Sequence, residues 1–136
     1  PIFLVDGCRE ALARVRGQLI YVASLLTEGR GMAGFTAADA VRRLTDAIGR
    51  PVDAVVFNSA PPSSDVLQRY AQEHKVPLEL GDLPEGCLLI EGAFWRRPIA
   101  RHDRRRLRGA LWALLVEELL GEKRTSRSKF EVRSSK

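Results

Sequence analysis

The run Asp53 to Asn58, DAVVFN, constrains the fold more than any other segment of the chain. Its inner residues are apolar without alternation, and prolines close it on both sides, Pro51 before it and Pro61 with Pro62 after it. Successive side chains of a strand point to opposite faces, so a strand with one wet face alternates polar and apolar residues. DAVVFN does not alternate. It therefore reads as a strand covered on both faces, the condition of an inner strand in a parallel sheet flanked by helices.

The flanking segments supply the helices and further strands. Gln18 to Ser24, QLIYVAS, is a short β-branched and aromatic run, preceded by a helix-like stretch from Arg9 to Arg16 with Leu12 and Val15 on one face. Thr36 stands three residues before Asp39, a capping-box spacing. Ala37, Ala40, Val41, Leu44, Ala47 and Ile48 then recur at helical intervals until Gly49. Ser63 or Ser64 can cap a helix running to about His74, with Val66, Leu67, Tyr70 and Ala71 on one side. Val76 to Leu80 is a short extended run, and Cys87 to Glu91 is one more strand. From Asp103 to about Gly121 a long helix carries a stripe of Leu107, Ala110, Leu111, Leu114, Leu115 and Leu119, with arginines 104, 105, 106 and 108 mostly outside it. Strands and helices alternate without hairpin signals, which predicts an α/β fold with a doubly wound, mainly parallel sheet.

With 136 residues, 45% of them hydrophobic, the chain can bury the core of one domain, expected over residues 1–121. Residues 122–136, EKRTSRSKFEVRSSK, are polar, basic and aperiodic, the composition of a disordered tail. The chain starts at Pro1 with a strand-like Ile2 to Val5, as an excerpt of a longer protein would. No run of about 18 apolar residues is present to span a membrane, and the start has no secretory pattern; the expected location is cytoplasmic. Charge is uneven, with 9 basic and 12 acidic groups in residues 1–95 against 13 and 5 in residues 96–136. This basic quarter holds few aromatics and no nucleic-acid motif, so nucleic acid is not the expected partner. Cys8 and Cys87 are far apart and form no ligand cluster with His74 and His102. No metal site is expected, and each thiol reads as a small buried hydrophobe.

No catalytic triad, paired carboxylates or phosphate-loop motif is visible, and no catalytic residue is assigned. Three loops nevertheless follow strand ends and would meet at one rim of the sheet, where α/β folds bind ligands: the glycine-rich TEGRGMAG from Thr27, the turn after Asn58, and the segment at Arg101. Thr27 and the amides of its loop can hold phosphate or form an ordinary turn. The Asn58 amide can bind a polar ligand or cap the next turn. Tyr70 can stack on a base or sugar, or sit half-buried in the core. Arg101, His102 and Asp103 precede the last helix. An anion there would meet a guanidinium and a helix amino end; Asp103 is more simply the helix cap, and His102 is either an acid–base group or a surface residue.

The segments GQLIYVASLLTEGRGMAGFTAADAV, VVFNSAPPSSDVLQRY and ARHDRRRLRGAL resemble, in order and spacing over about residues 1–116, the C-terminal half of gluconeogenesis-factor (YvcK-like) proteins of the CofD-like superfamily. The chain departs from that pattern at Ser24, Leu26 and Ala40, where the family favours asparagine, methionine and histidine. The resemblance implies a Rossmann-like fold and a regulatory protein that binds uridine-diphosphate sugars and supports carbon-source adaptation, cell-wall synthesis and cell shape. It implies ligand contacts at Tyr70 and Arg101, with Thr27 and Asn58 at further pocket positions. A homo-oligomer is compatible with it. The same superfamily contains the 2-phospho-L-lactate transferase of deazaflavin coenzyme synthesis, an enzymatic alternative that would bring in a divalent metal such as Mg2+. A basic interaction module formed by residues 96–136 is the third reading, resting on charge alone.

Overall fold

In the computed structural model, which describes residues 5–120 and 127–129, the apolar run becomes β2 (Ala54–Asn58). It pairs in parallel with β1 (Ile20–Val22) on one side and β3 (Leu88–Gly92) on the other, in the registers Ile20↔Ala54 and Ala54↔Leu88. Both faces of the sheet are covered. Val55, Phe57 and Leu89 point to one face and pack with Ala37 and Val41 of α2 (Ala37–Ile48). Ala54, Val56 and Ile90 point to the other and pack with Phe94 and with Ala110 and Leu114 of α4 (Arg104–Leu120). Val55, Val56, Ile90 and Phe94 are each at most 1% exposed, so the unalternating pattern of DAVVFN reflects burial on two sides.

The helices begin where side chains satisfy their free amides. Thr36 closes a capping box before α2: its Oγ1 accepts from the Asp39 amide at 3.1 Å, and the Asp39 carboxylate accepts from the Thr36 amide at 3.0 Å. Gly49, left-handed at φ +83°, ends the helix. Asp103 caps α4, its Oδ1 accepting from the amides of Arg105 at 2.9 Å and Arg106 at 3.1 Å. These bonds favour the ionised carboxylates. Asp39 is held below the ordinary range chiefly by the Thr36 amide, and Asp103 chiefly by the Arg106 amide. The helices α1 (Cys8–Arg14) and α3 (Ser64–Ala71) are shorter; Ser63 is the N-cap of α3, but its side chain makes no capping bond.

Several expectations change. The extended run Val76 to Leu80 is a strap that joins no sheet: its β-pairing is confined to isolated bridges at Leu26↔Pro77 and Thr36↔Glu79, with Leu78 packed in the core. Pro77 has no amide to donate to a ladder. The strap spends its carbonyls on α2 instead: Glu79 and Leu80 accept from the first-turn amides of Ala37 and Ala38. Behind it, Gly81 adopts φ +70° with a hypothetical Cβ 2.6 Å from Thr36 Oγ1, so both its conformation and its space require glycine. An antiparallel hairpin, β4 (Trp95–Arg96) with β5 (Arg101–His102), interrupts the alternation before α4. Leu115, expected in the core stripe, is 49% exposed, because it lies about 80° around the helix from Leu107 and passes the edge of the buried face. The Leu119 side chain lies outside the described residues. Of the basic tail, residues 122–126 and 130–136 also lie outside them, while Arg127–Lys129 forms β6, parallel to β3.

Thr36→Ala should cost about 1 kcal/mol as a lost cap, and Gly81→Ala should cost about 1–3 kcal/mol from strain, both read by denaturant unfolding. Because Asp39 and Asp103 titrate lower when folded, their contribution is present above the unfolded Asp value of about 3.9 and is lost as pH falls through the folded values. Between pH 6 and 3 the unmodified chain should lose more thermal stability than an Asp39→Asn, Asp103→Asn double variant; parallel losses would remove these carboxylates as acid-sensitive elements.

Candidate functional site

A cavity of about 480 Å³ opens at the carboxyl end of β1. Three segments far apart in sequence form it: Ser24 to Glu28 after β1, Tyr70 of α3 with Lys75 beyond it, and Ala100 to His102 with Arg104 at the start of α4. Ligands of α/β proteins bind in crevices outside strand carboxyl ends, so this is the rim the sequence singles out. Thr27, Tyr70, Arg101 and His102 are all brought together here.

Each arrives by a different device. Thr27 is 4% exposed, and its Oγ1 accepts from the Val76 amide at 3.1 Å. With that acceptor role filled, the hydroxyl hydrogen is available to donate into the cavity. In the glycine loop Gly29–Met32 winds into a 3-10 turn, and Arg30 Nη2 lies 2.7 Å from His74 Nε2. Tyr70 is half-buried, with Lys75 Nζ 5.9 Å from its ring centroid. Lys75 is also paired with Glu73 at 2.6 Å. Arg101 is exposed on the hairpin, in the wall of the cavity. His102 Nε2 donates to the Ala23 carbonyl at 3.1 Å, which pins the hairpin to the end of β1. That bond gives His102 a structural task beside its place in the cavity wall.

Asn58 and Asp103 do not line this cavity. Asn58 shares a face of β2 with Ala54 and Val56, so its amide points to the face covered by Phe94 and α4. There its Oδ1 accepts from the Phe94 amide at 2.7 Å and its Nδ2 donates to the Ala60 carbonyl at 2.5 Å. Asp103 is the α4 cap and lines a separate cavity of about 260 Å³ with Trp95, Arg96, Arg97 and Arg106. A larger cavity of about 630 Å³ includes Asp53 and Cys87, at the amino ends of β2 and β3, away from the ligand rim. Cys87 packs in the core and burial pushes its thiol pKa up, away from reactivity. Among the described residues no cluster of three or more His, Cys, Asp or Glu side chains is placed to hold a metal ion, and no helix is long and apolar enough to cross a membrane.

The sequence did not single out Lys75, Glu28 or Arg104 as part of the wall. Lys75 follows a helix end without any motif, and Arg104 looks like one of four equivalent arginines. Only the meeting of α3, the hairpin and the loop after β1 distinguishes them.

Comparison with known proteins agrees with this architecture. Crystal structures of a UPF0052 family protein from Bacillus halodurans match with TM-scores of 0.69 and 0.67 at 24% and 25% identity, over 81% and 80% of this chain and 37% of theirs. Proteins named gluconeogenesis factors match too: one from Thermotoga maritima at 34% identity over 52% of this chain and 22% of its own, and one from Aquifex aeolicus at 27% over 90% and 39%. The chain thus spans well under half the length of these relatives. The family model described as 2-phospho-L-lactate transferase CofD matches residues 1–94, which take in β1, β2, β3 and the first two walls of the cavity, and on that match the chain belongs to the CofD family.

Proposed function

We propose that this chain contributes the ligand rim of a cytoplasmic, nucleotide-sugar-binding regulatory protein of the gluconeogenesis-factor type, with a uridine-diphosphate sugar as its ligand. The observation that carries the reading is the convergence of Tyr70, Arg101 and Thr27 on one cavity at the carboxyl end of β1. An aromatic ring offers a stacking surface for a base or sugar, a guanidinium offers paired donors to phosphate, and a buried hydroxyl offers one oriented donor. Those three chemistries together suit a ligand with a planar or apolar part and an anionic part. Lys75 and Arg104 in the same wall add positive charge, and Glu28 is the acidic side chain opposing it. In the cell the bound state would be read as a change of conformation or partner that supports carbon-source adaptation, cell-wall synthesis and cell shape.

The family description supports a second reading, a transferase for 2-phospho-L-lactate. It would need a deazaflavin precursor and a divalent cation such as Mg2+ at the site.

Calorimetric titration of the full chain with a uridine-diphosphate amino sugar tests the first reading. Saturable binding is expected, with Arg101→Ala costing about 1.5–3 kcal/mol for one charged hydrogen bond and Tyr70→Ala about 1–3 kcal/mol for a stacked ring. Unchanged affinity in both variants would remove this cavity as the binding site. Metal-dependent binding of the deazaflavin precursor, without binding of the sugar nucleotide, would replace the regulator by the transferase.

A further inference from the structure

Arg101 reaches the cavity on a hairpin that has little to hold it. β4 and β5 share only two paired positions, Trp95↔His102 and Arg96↔Arg101. A two-stranded ribbon of this size has no independent stability in water. Its base is tied down twice, by His102 Nε2 on the Ala23 carbonyl and by the Asp103 amide on the Phe94 carbonyl at 2.5 Å. Within the connection the Ile99 amide donates to Arg96 and the Arg101 amide to Ile99. None of these bonds ties the tip to another part of the molecule.

Arg69 supplies that tie. From α3 its Nη2 donates to the Pro98 carbonyl at 2.6 Å, across 29 residues of sequence. Its Nε lies 3.4 Å from the Asp65 carbonyl, one turn back on the same helix, which steadies the guanidinium along α3. Arg69 does not itself line the cavity, although its neighbour Tyr70 does. One helix therefore presents the aromatic wall and, through the adjacent residue, clamps the hairpin that presents the cationic wall. We propose that Arg69 is a positioning residue: it sets the spacing of Arg101 from Tyr70, and hence the affinity for an anionic ligand, without touching that ligand. This rests on the nucleotide-sugar reading of the same cavity.

A double-mutant cycle on the full chain tests it, with the uridine-diphosphate amino sugar as the probe. Arg69→Ala should weaken binding roughly three- to tenfold, the scale of one net hydrogen bond acting through geometry. It should have little further effect when Arg101 is already alanine, because a misplaced hairpin then carries nothing to lose. A purely through-space loss of charge would weaken binding by the same factor in both backgrounds, and that additivity would overturn the proposal. Hydrogen exchange gives a readout independent of ligand: the amides of Ile99 and Arg101 should exchange faster in Arg69→Ala, while those of β2 stay protected. Unchanged exchange there would also overturn it. Should Arg101→Ala alone leave affinity intact, the reading of the cavity fails and the positioning role fails with it; if Arg101→Ala weakens binding and Arg69→Ala does not, only the positioning role is lost.

Discussion

β2 is paired through its backbone on both edges and buried through its side chains on both faces, and the rest of the molecule is arranged to make that possible. A strand in such a place cannot satisfy any amide or carbonyl with water, so β1 and β3 must lie in register beside it. Nor can it leave one set of side chains wet, so one helix layer is insufficient. α2 covers Val55 and Phe57 while α4 and Phe94 cover Ala54 and Val56. Burial of this kind contributes about 25 cal/mol for each Å² of apolar surface removed from water, and here four apolar residues of one strand supply it on both faces.

The same arrangement explains where the cavity is. Parallel strands deliver their carboxyl ends to one rim, and each connection must leave from that rim toward a helix. The chain leaving β1 turns into the Thr27 loop, and the chain leaving β3 turns into the hairpin before α4. Between them α3 presents Tyr70. Ordinary structural bonds carry the geometry: the strap's Val76 amide on Thr27, His102 on Ala23, and Arg69 on Pro98. Asp103, by filling the amino end of α4, removes two of the amides that an anion would otherwise use there. The proposed anion site therefore relies on side-chain cations rather than on that helix terminus.

Membership of the CofD family places the chain among proteins considerably longer than the segment it matches. The described residues nonetheless hold walls of a cavity, with aromatic, cationic and hydroxyl groups on three separate pieces of backbone. Polar groups spread in this way respond to one another through the elements that bear them. A shift of α3 against the hairpin would change the spacing of Tyr70 from Arg101.

Elements whose causes are local were legible in the residues alone. DAVVFN announced a doubly covered strand, Thr36 with Asp39 and Gly49 announced the limits of α2, and Asp103 announced α4, because burial pattern and capping act within a few residues. The alternation of strand and helix also put the segments at Thr27, Asn58 and Arg101 at one rim, while Tyr70, open between the core and a stacking role, was drawn to it by the family resemblance. What the sequence left open at Asn58 was whether the amide serves a ligand or the protein, and the structure spends it on Phe94 and Ala60. The hairpin, the strap that feeds α2 its carbonyls, the exposure of Leu115, and the inclusion of Lys75 and Arg104 were decided only by tertiary structure. Each depends on a partner tens of residues away, and neither periodicity nor capping chemistry carries information over that distance.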